Sequence, residues 1–325
     1  MPQLNAMNTP TQNTSVDNIV YQFAASKGFS SRAKAICFAA RFSGLCRSTD
    51  GGRKWQPSFG SLDLQSPFPA LTVALSPDFE QDGSVFVGTG NGILRSSDSG
   101  ETWENTQVPS PPPVITALVV SPNYVQDGIL LAATLEDGVL CSSDRGRRWI
   151  AWNFGLLDLN TLCLAISPDF ANDETLFIGT QSGIFRSTNG GRSWREVNLP
   201  VGFEPVLSLA VSPSFGRDAT LFAGTENDGL LRSGDGGQTW QRLGKSTFNE
   251  PVNGIVLAPD FSNRPEIFVL HGGSLLVSTD GSKTWKSWRD GALAGNEITA
   301  IYAPTGFDLQ SPALVGCADG TILRI

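Results

Sequence analysis

Leu94-Arg95-Ser96-Ser97-Asp98-Ser99-Gly100-Glu101-Thr102-Trp103 is the stretch on which the reading of this chain turns, because the chain keeps returning to it. The pattern Ser-x-Asp-x-Gly-x-x-Trp occurs with Ser48, Asp50 and Trp55, with Ser96, Asp98 and Trp103, and with Ser142, Asp144 and Trp149. It occurs again with Ser187, Asn189 and Trp194, with Ser233, Asp235 and Trp240, and with Ser278, Asp280 and Trp285. The leading serines at 48, 96, 142, 187, 233 and 278 are 48, 46, 45, 46 and 45 residues apart. A fixed period of this length is the signature of a repeat architecture in which each unit buries its face against the next.

Within the octapeptide each residue type has a physical task. Ser and Asp side chains hydrogen-bond nearby backbone N–H groups and so hold a turn without a neighbouring strand. Gly in the fifth place turns left-handed at no steric cost, and Ser282 replaces it in the sixth copy. The Trp starts a returning strand and buries a large ring. In residues and spacing the octapeptide resembles the Asp-box, or BNR, repeat of the sialidase-like β-propellers. The resemblance covers about residues 18–325 and implies an all-β propeller in which the boxes are folding devices.

Around the second copy the repeat reads as four strands. Residues 70–76 form an apolar strand, 84–89 a second, 93–97 a third, and Trp103 opens a fourth; Pro77-Asp78, Gly90-Asn91-Gly92 and the octapeptide separate them. The first strand recurs at 115–121, 162–167, 206–212, 252–258 and 298–303, with a divergent early copy at 19–26. Seven innermost strands predict seven four-stranded blades in a single domain over 1–325, and ring closure hides the sheet edges. The last repeat reaches Ile325 without a fourth strand, so residues 1–17, with their alternating segment 3–6, are expected to supply it.

Composition narrows function. A formal charge of −8 argues against nucleic acid or an anionic membrane as partner. No run approaches the ~18 apolar residues of a membrane span, and residues 1–17 lack the pattern of a secretory signal, so the chain reads as cytoplasmic. Five cysteines form no CxxC pair and no disulfide framework; Cys37, Cys46 and Cys163 read as core residues, Cys141 and Cys317 as exposed ones. No metal or cofactor is expected. The aspartates of the repeat fall in separate blades, and His271, the single histidine, is read as a loop residue.

Sialidases use an arginine triad, a Tyr–Glu pair and an acidic Asp, and the resemblance does not extend to these. Arg47, Arg95, Arg186 and Arg232 recur beside the octapeptide as repeat positions, and only Tyr21, Tyr124 and Tyr302 are present. Xyloglucanases carry Asp boxes on paired seven-bladed propellers. A glycosidase needs two carboxyls ~5–9.5 Å apart, whereas Glu136 and Asp137 stand in a different blade from Glu226 and Asp228. Seven-bladed Asp-box proteins of this size include photosystem II assembly factors, a resemblance that implies an assembly role. The expected function is therefore a non-enzymatic scaffold for a protein partner, with a carbohydrate-binding or glycosidase-like propeller as the alternative.

Recognition is expected on the loops that depart from the repeat: the turns between second and third strands, and the inter-blade connectors at 56–67, 104–113, 151–160, 195–205 and 286–297. The candidate face carries Glu136, Asp137, Trp152, Glu226, Asp228, His271 and Trp288. Trp152 and Trp288, each three residues beyond an octapeptide Trp, are read as packed between blades or exposed as ligand platforms.

Overall fold

The computed structural model describes residues 18–29, 34–62, 68–307 and 311–325. They form seven antiparallel sheets arranged as a ring, a seven-bladed β-propeller. The innermost strands are Val20–Ala25, Ala70–Leu75, Val114–Val120, Thr161–Ile166, Val206–Val211, Val252–Leu257 and Ile298–Tyr302. Each packs on the next, and the seventh packs on the first. Blades 1 to 6 have four strands. Blade 7 has three among the described residues: Ile298–Tyr302, Leu314–Cys317 and Ile322–Arg324. The closing strand expected from residues 1–17 lies outside the described residues. Among the described residues no helix is long and apolar enough to cross a membrane.

The octapeptide folds as its chemistry dictates. In blade 2 the Ser96 hydroxyl donates to Asp98 Oδ1 at 2.7 Å and accepts the Gly100 N–H at 2.9 Å. Asp98 Oδ1 accepts the Glu101 and Thr102 amides at 3.0 and 2.9 Å. The same lock recurs in the other copies, with Asn189 Oδ1 accepting the Ser193 amide at 2.9 Å in blade 4. The fifth place is left-handed in all six, at φ 86° for Gly52, 82° for Gly100 and still 76° for Ser282.

Glycine there also answers to packing. A Cβ on Gly100, Gly146 or Gly237 would lie 2.6, 2.4 or 2.5 Å from Phe38, Phe86 or Phe177 of the preceding blade. Each octapeptide therefore sits on the second strand of the blade before it. Gly52 of blade 1 meets Leu314 of blade 7 in the same way, which carries the contact around the closure. Further bonds cross that junction: Thr299 Oγ1 donates to the Val20 carbonyl at 2.7 Å, and Arg324 Nε to the Gly51 carbonyl at 2.9 Å.

In blades 2 to 5 the turns between first and second strands are single helical turns, such as Phe79–Asp82, rather than plain loops. A second lock holds them. Ser76 Oγ donates to Asp82 Oδ2 at 2.6 Å, and Ser121, Ser167 and Ser212 repeat the bond to Asp127, Asp173 and Asp218. Their aromatic residue packs edge-on against the previous blade: Phe79 on Phe38, Tyr124 on Phe86, Phe215 on Phe177 and, from the blade 6 turn, Phe261 on Phe222.

Two cysteine expectations need correction. Cys141 and Cys317 are buried, not exposed. Cys141 stands where other blades place an outward-reaching arginine, and its short side chain stays under the Leu131–Trp194 cluster. Cys317 takes the place of Thr89, Thr134, Thr180 and Thr225, which are themselves buried because their hydroxyls bond carbonyls of the following turn. A polar residue at that place marks a turn bond, not exposure. Burial pushes the Cys141 thiol up to about 12, so it is an inert core group.

Candidate functional site

Backbone bonds sort the loops onto two faces. The octapeptides rest on the first-to-second turns, with the Ser99, Arg145 and Gly236 amides donating to the Gly83, Gly128 and Ala219 carbonyls at 2.9, 3.1 and 2.9 Å. The connectors end against the second-to-third turns on the other side. There the Gly92, Gly138 and Gly272 amides donate to Pro113, Leu159 and Pro251, each at 2.9 Å. The first group forms the box face and the second the connector face.

The eighteen octapeptide residues named above serve the box face as structure. Trp103, Trp149, Trp194 and Trp240 are buried, and Trp55 and Trp285 are half-buried. The Thr239 hydroxyl and amide, with the Ser233 hydroxyl and Gln238 amide, hold the Asp235 carboxyl down at about 2 against the cost of burial. Among the described residues no three His, Cys, Asp or Glu side chains converge as metal ligands would.

Trp288 does not lie on the connector face. It is buried, its ring 4.5 Å from that of Phe268, with Nε1 donating to the Phe307 carbonyl at 3.2 Å. Phe268 is the counterpart of Phe38, Phe86 and Phe177, on which the next blade's octapeptide rests elsewhere. Among the described residues blade 7 offers no octapeptide, and Trp288 covers that slot. Trp152 is half-buried against the same cluster as Leu131 and Trp194, and its carbonyl accepts the Trp194 Nε1–H at 2.8 Å. His271 ends the second strand of blade 6. Its Nε2 accepts the Asn249 and Glu250 amides at 3.1 and 2.9 Å, so it tethers a connector as a neutral ring. Burial lowers its pKa, with Glu250 acting in the opposite sense.

Glu136 and Asp137 sit exposed at the second-to-third turn of blade 3, and Glu226 does so in blade 5. Asp228 forms an ion pair with Arg242 at 2.5 Å. The blade 4 turn stands between the two acidic turns, so the structure does not bring them together. That turn is gripped from both sides. Asp158 Oδ2 accepts the Ser182 amide at 2.9 Å, and the Ser182 carbonyl accepts the Glu204 amide at 3.4 Å. Glu204, itself buried, accepts the Asn227 and Asp228 amides of blade 5.

This grip lifts apolar side chains that the sequence reading missed. Leu157 precedes Asp158 and is 78% exposed; Phe203 precedes Glu204 and is 82% exposed. Leu135 and Leu159 add to the same quarter of the face, and Phe154, 79% exposed, lies at the start of the 151–160 connector. Large apolar residues so open to water in one region mark an interaction surface. The available signal was that Leu156-Leu157 and Val201-Gly202-Phe203 put apolar residues inside connectors; the first run differs from its counterpart Ser61-Leu62 by the added leucine.

The channel along the ring axis forms a cavity of about 400 Å³ lined by the inner strands, Tyr21, Leu71, Thr116, Leu162, Leu207, Asn253 and Thr299 among them. Six of these seven residues sit at a register shift between the first and second strand, and blade 3 shifts at the same level. A bulge re-aims its side chain and frees backbone groups. Neighbouring blades take these up: Thr116 Oγ1 donates to the Thr161 carbonyl at 2.8 Å and Ser208 Oγ to Val252 at 2.9 Å. The lining is uncharged and offers no acid–base pair.

No family model matches the chain, and no curated protein matches it. Solved structures do. YCF48 bound to a D1 peptide is 16% identical, with a TM-score of 0.69 over 95% of this chain and 93% of that one. The GH74 xyloglucanase of Xanthomonas campestris is 15% identical, with a TM-score of 0.72, and the match takes in 52% of its length. The extracellular domain of the putative one component system BT4673 from B. thetaiotaomicron is 16% identical, with a TM-score of 0.70; the chain spans 38% of it. At these identities the likeness is one of fold.

Proposed function

We propose that this propeller is a non-enzymatic scaffold that binds a protein partner on the connector face over blades 3 to 5. The observation that carries the reading is the pair Leu157 and Phe203, held open to water on either side of the blade 4 turn. The exposed acids Glu136, Asp137 and Glu226 flank it, which defines the partner's chemistry: a segment with apolar side chains set among lysines or arginines. Apolar anchors within a charged rim are the usual anatomy of a transient protein contact. A peptide-bound YCF48 among the structural neighbours supports a propeller of this size engaging a chain segment; the finer part of the proposal is an assembly role in the cytoplasm.

The competing reading, carbohydrate binding or glycoside hydrolysis, draws on the xyloglucanase likeness. It is disfavoured because the two acidic turns stand in separate blades, blade 4 between them, and the channel is uncharged. Fluorescence polarisation with two labelled 12-residue peptides tests the choice. Both share a Leu/Phe core; one is flanked by lysines and the other by glutamates. Binding of the lysine peptide, weakened by salt and lost in Leu157→Ser/Phe203→Ser, supports the proposal. Equal binding of both peptides, or turnover of xyloglucan by the intact protein, overturns it.

A further inference from the structure

The grooves between neighbouring blades are repeats of one another, and one of them sets two arginines face to face. Across the third and fourth strands Arg47 faces Gln56, Arg95 faces Glu104 and Arg232 faces Gln241; in blade 4, Arg186 faces Arg195. Directly opposed residues on an antiparallel pair project from the same side, and like charges there repel. Sibling blades neutralise this arginine in two ways. Arg95 meets Glu104 of its own blade at 2.5 Å, and Arg47 meets Glu101 of the next blade's octapeptide at 3.5 Å.

Both devices are missing at blade 4, as they are at blade 5 where Gln241 and Lys283 hold those places, but only blade 4 adds a second arginine. Arg195 stands in the place of Glu104, and Gln238, three residues after Asp235, stands in the place of Glu101, three after Asp98. Glu196 lies along the same groove, but consecutive strand residues point to opposite sides. Among the described residues no ion pair joins it or any other carboxylate to Arg186 or Arg195. Arg186 Nε is buried without an acceptor, as are Arg47 Nε and Arg95 Nε in the sibling grooves, so the second arginine is what sets this groove apart. The two arginines, with Thr188, Glu196, Asn198 and Gln238, line a groove of about 300 Å³ between blades 4 and 5, in which Glu196 is the one carboxylate against two guanidinium groups. The corresponding groove between blades 1 and 2, about 410 Å³, contains Glu101 as well as Arg47.

We propose that the blade 4–5 groove is a binding site for a dianionic oxoanion of the phosphate-monoester class. Two guanidinium forks on one side of a sheet match two negative charges and the several acceptor oxygens of such a group. The anion supplies the charge that Glu101 and Glu104 supply in the sibling grooves. It comes either as a free phosphorylated small molecule or as a phosphoryl group on a partner. The site stands apart from the apolar surface of the connector face and does not depend on it.

Calorimetric titration at constant ionic strength, with inorganic phosphate and with a phosphoserine peptide, tests the proposal. Saturable binding at one site per chain is expected, weakened about tenfold or more in Arg186→Gln and in Arg195→Gln, as the loss of a charged hydrogen-bonding group implies. The sharper variant is Gln238→Glu, which restores the blade 2 residue at an exposed position and so keeps the fold. It should abolish binding by filling the groove with an internal carboxylate. Equal affinity for the two probes would assign a free anion, and a tighter peptide a phosphorylated partner. Absence of saturable binding to both probes, or binding unchanged in Gln238→Glu, would overturn the site.

Discussion

On the box face, six octapeptides commit the same serine, the same acid or amide, and the same left-handed backbone to holding a turn on the neighbouring blade. On the connector face, the junctions share the backbone bond that ties a connector to a second-to-third turn and otherwise differ in length, charge and apolarity. The contrast teaches where this molecule is constrained. A turn that must lock itself and also fit under the next blade leaves no residue free, so its sequence repeats. A connector anchored only through its backbone leaves its side chains free to differ, and in blades 3 to 5 they present apolar groups to water.

The largest effect should come from removing a ring from the box face. Trp149 is 2% exposed and packs with Leu118, Tyr124 and Leu140 between blades 2 and 3. Trp149→Ala should cost about 3–5 kcal/mol, the range for large aromatic truncations in packed interiors. Chemical denaturation measures it, and a loss below about 1 kcal/mol would show that the octapeptide tryptophans are not structural.

Next comes the glycine beneath the ring, with an internal control from the other face. Gly237 has φ 82°, and an added Cβ would lie 2.5 Å from Phe177. Gly237→Ala therefore combines a left-handed backbone with overpacking and should cost about 2–4 kcal/mol. Gly202 on the connector has nearly the same φ, 79°, but nothing within 4 Å of a new Cβ. Gly202→Ala should cost only the backbone part, about 1–2 kcal/mol. Equal losses by thermal unfolding would mean that inter-blade packing is not what fixes the fifth place.

How far the sequence carried the reading follows the same division. Period, strand count and the Ser–Asp lock were legible because each is local: Ser96, Asp98 and Gly100 lie within five residues and bond one another. The second lock, from Ser76 to Asp82, is equally local, yet it reads as an ordinary turn until the helical turn bearing Phe79 is seen. Trp288 was not legible. Its role arises because, among the described residues, no octapeptide fills the slot above Phe268, a fact of three dimensions with no trace in its own neighbourhood. The exposed Leu157 and Phe203 were missed because an apolar residue in a connector looks the same whether it is buried or not, and only the grip of Asp158 and Glu204 decides. The pairing of Arg186 with Arg195 needed strand register, which the repeat alone does not supply.

Acid should separate the octapeptides from one another. Asp235 is held at about 2 by the Thr239 hydroxyl and amide, below the value of about 3.9 in an unfolded chain. A carboxyl depressed on folding gives stability that is present above pH ~4 and is lost as pH falls through about 2. Asn189 makes the same lock with a neutral amide, its Nδ2 donating to Ser193 Oγ at 2.8 Å, and has nothing to titrate in this range. Amide proton shifts followed from pH 5 to pH 1.5 should show Thr239 titrating near pH 2 while Ser193 stays in place. Movement of both together would indicate general acid unfolding in place of a local lock.

The smallest effect on stability is expected where the effect on recognition is greatest. Leu157 and Phe203 are 78% and 82% exposed, so replacing them removes little buried area from the folded chain. What holds this region is polar and lies beside them: Asp158 on the Ser182 amide, and Glu204 on the Asn227 and Asp228 amides. Serine at both positions leaves those bonds intact. The variant should therefore unfold within about 0.5 kcal/mol of the native protein, as substitutions at exposed sites generally do. Two explanations of such open apolar groups make opposite claims here. If the side chains were part of a core that closes over them in solution, Leu157→Ser/Phe203→Ser would lower stability by about 2 kcal/mol or more, in line with the transfer free energy of two large side chains. If they are held out for a partner, denaturation curves superimpose and only binding of the lysine-flanked peptide falls. A loss of stability without a loss of binding would place the recognition surface elsewhere on the ring and break the contrast between the two faces.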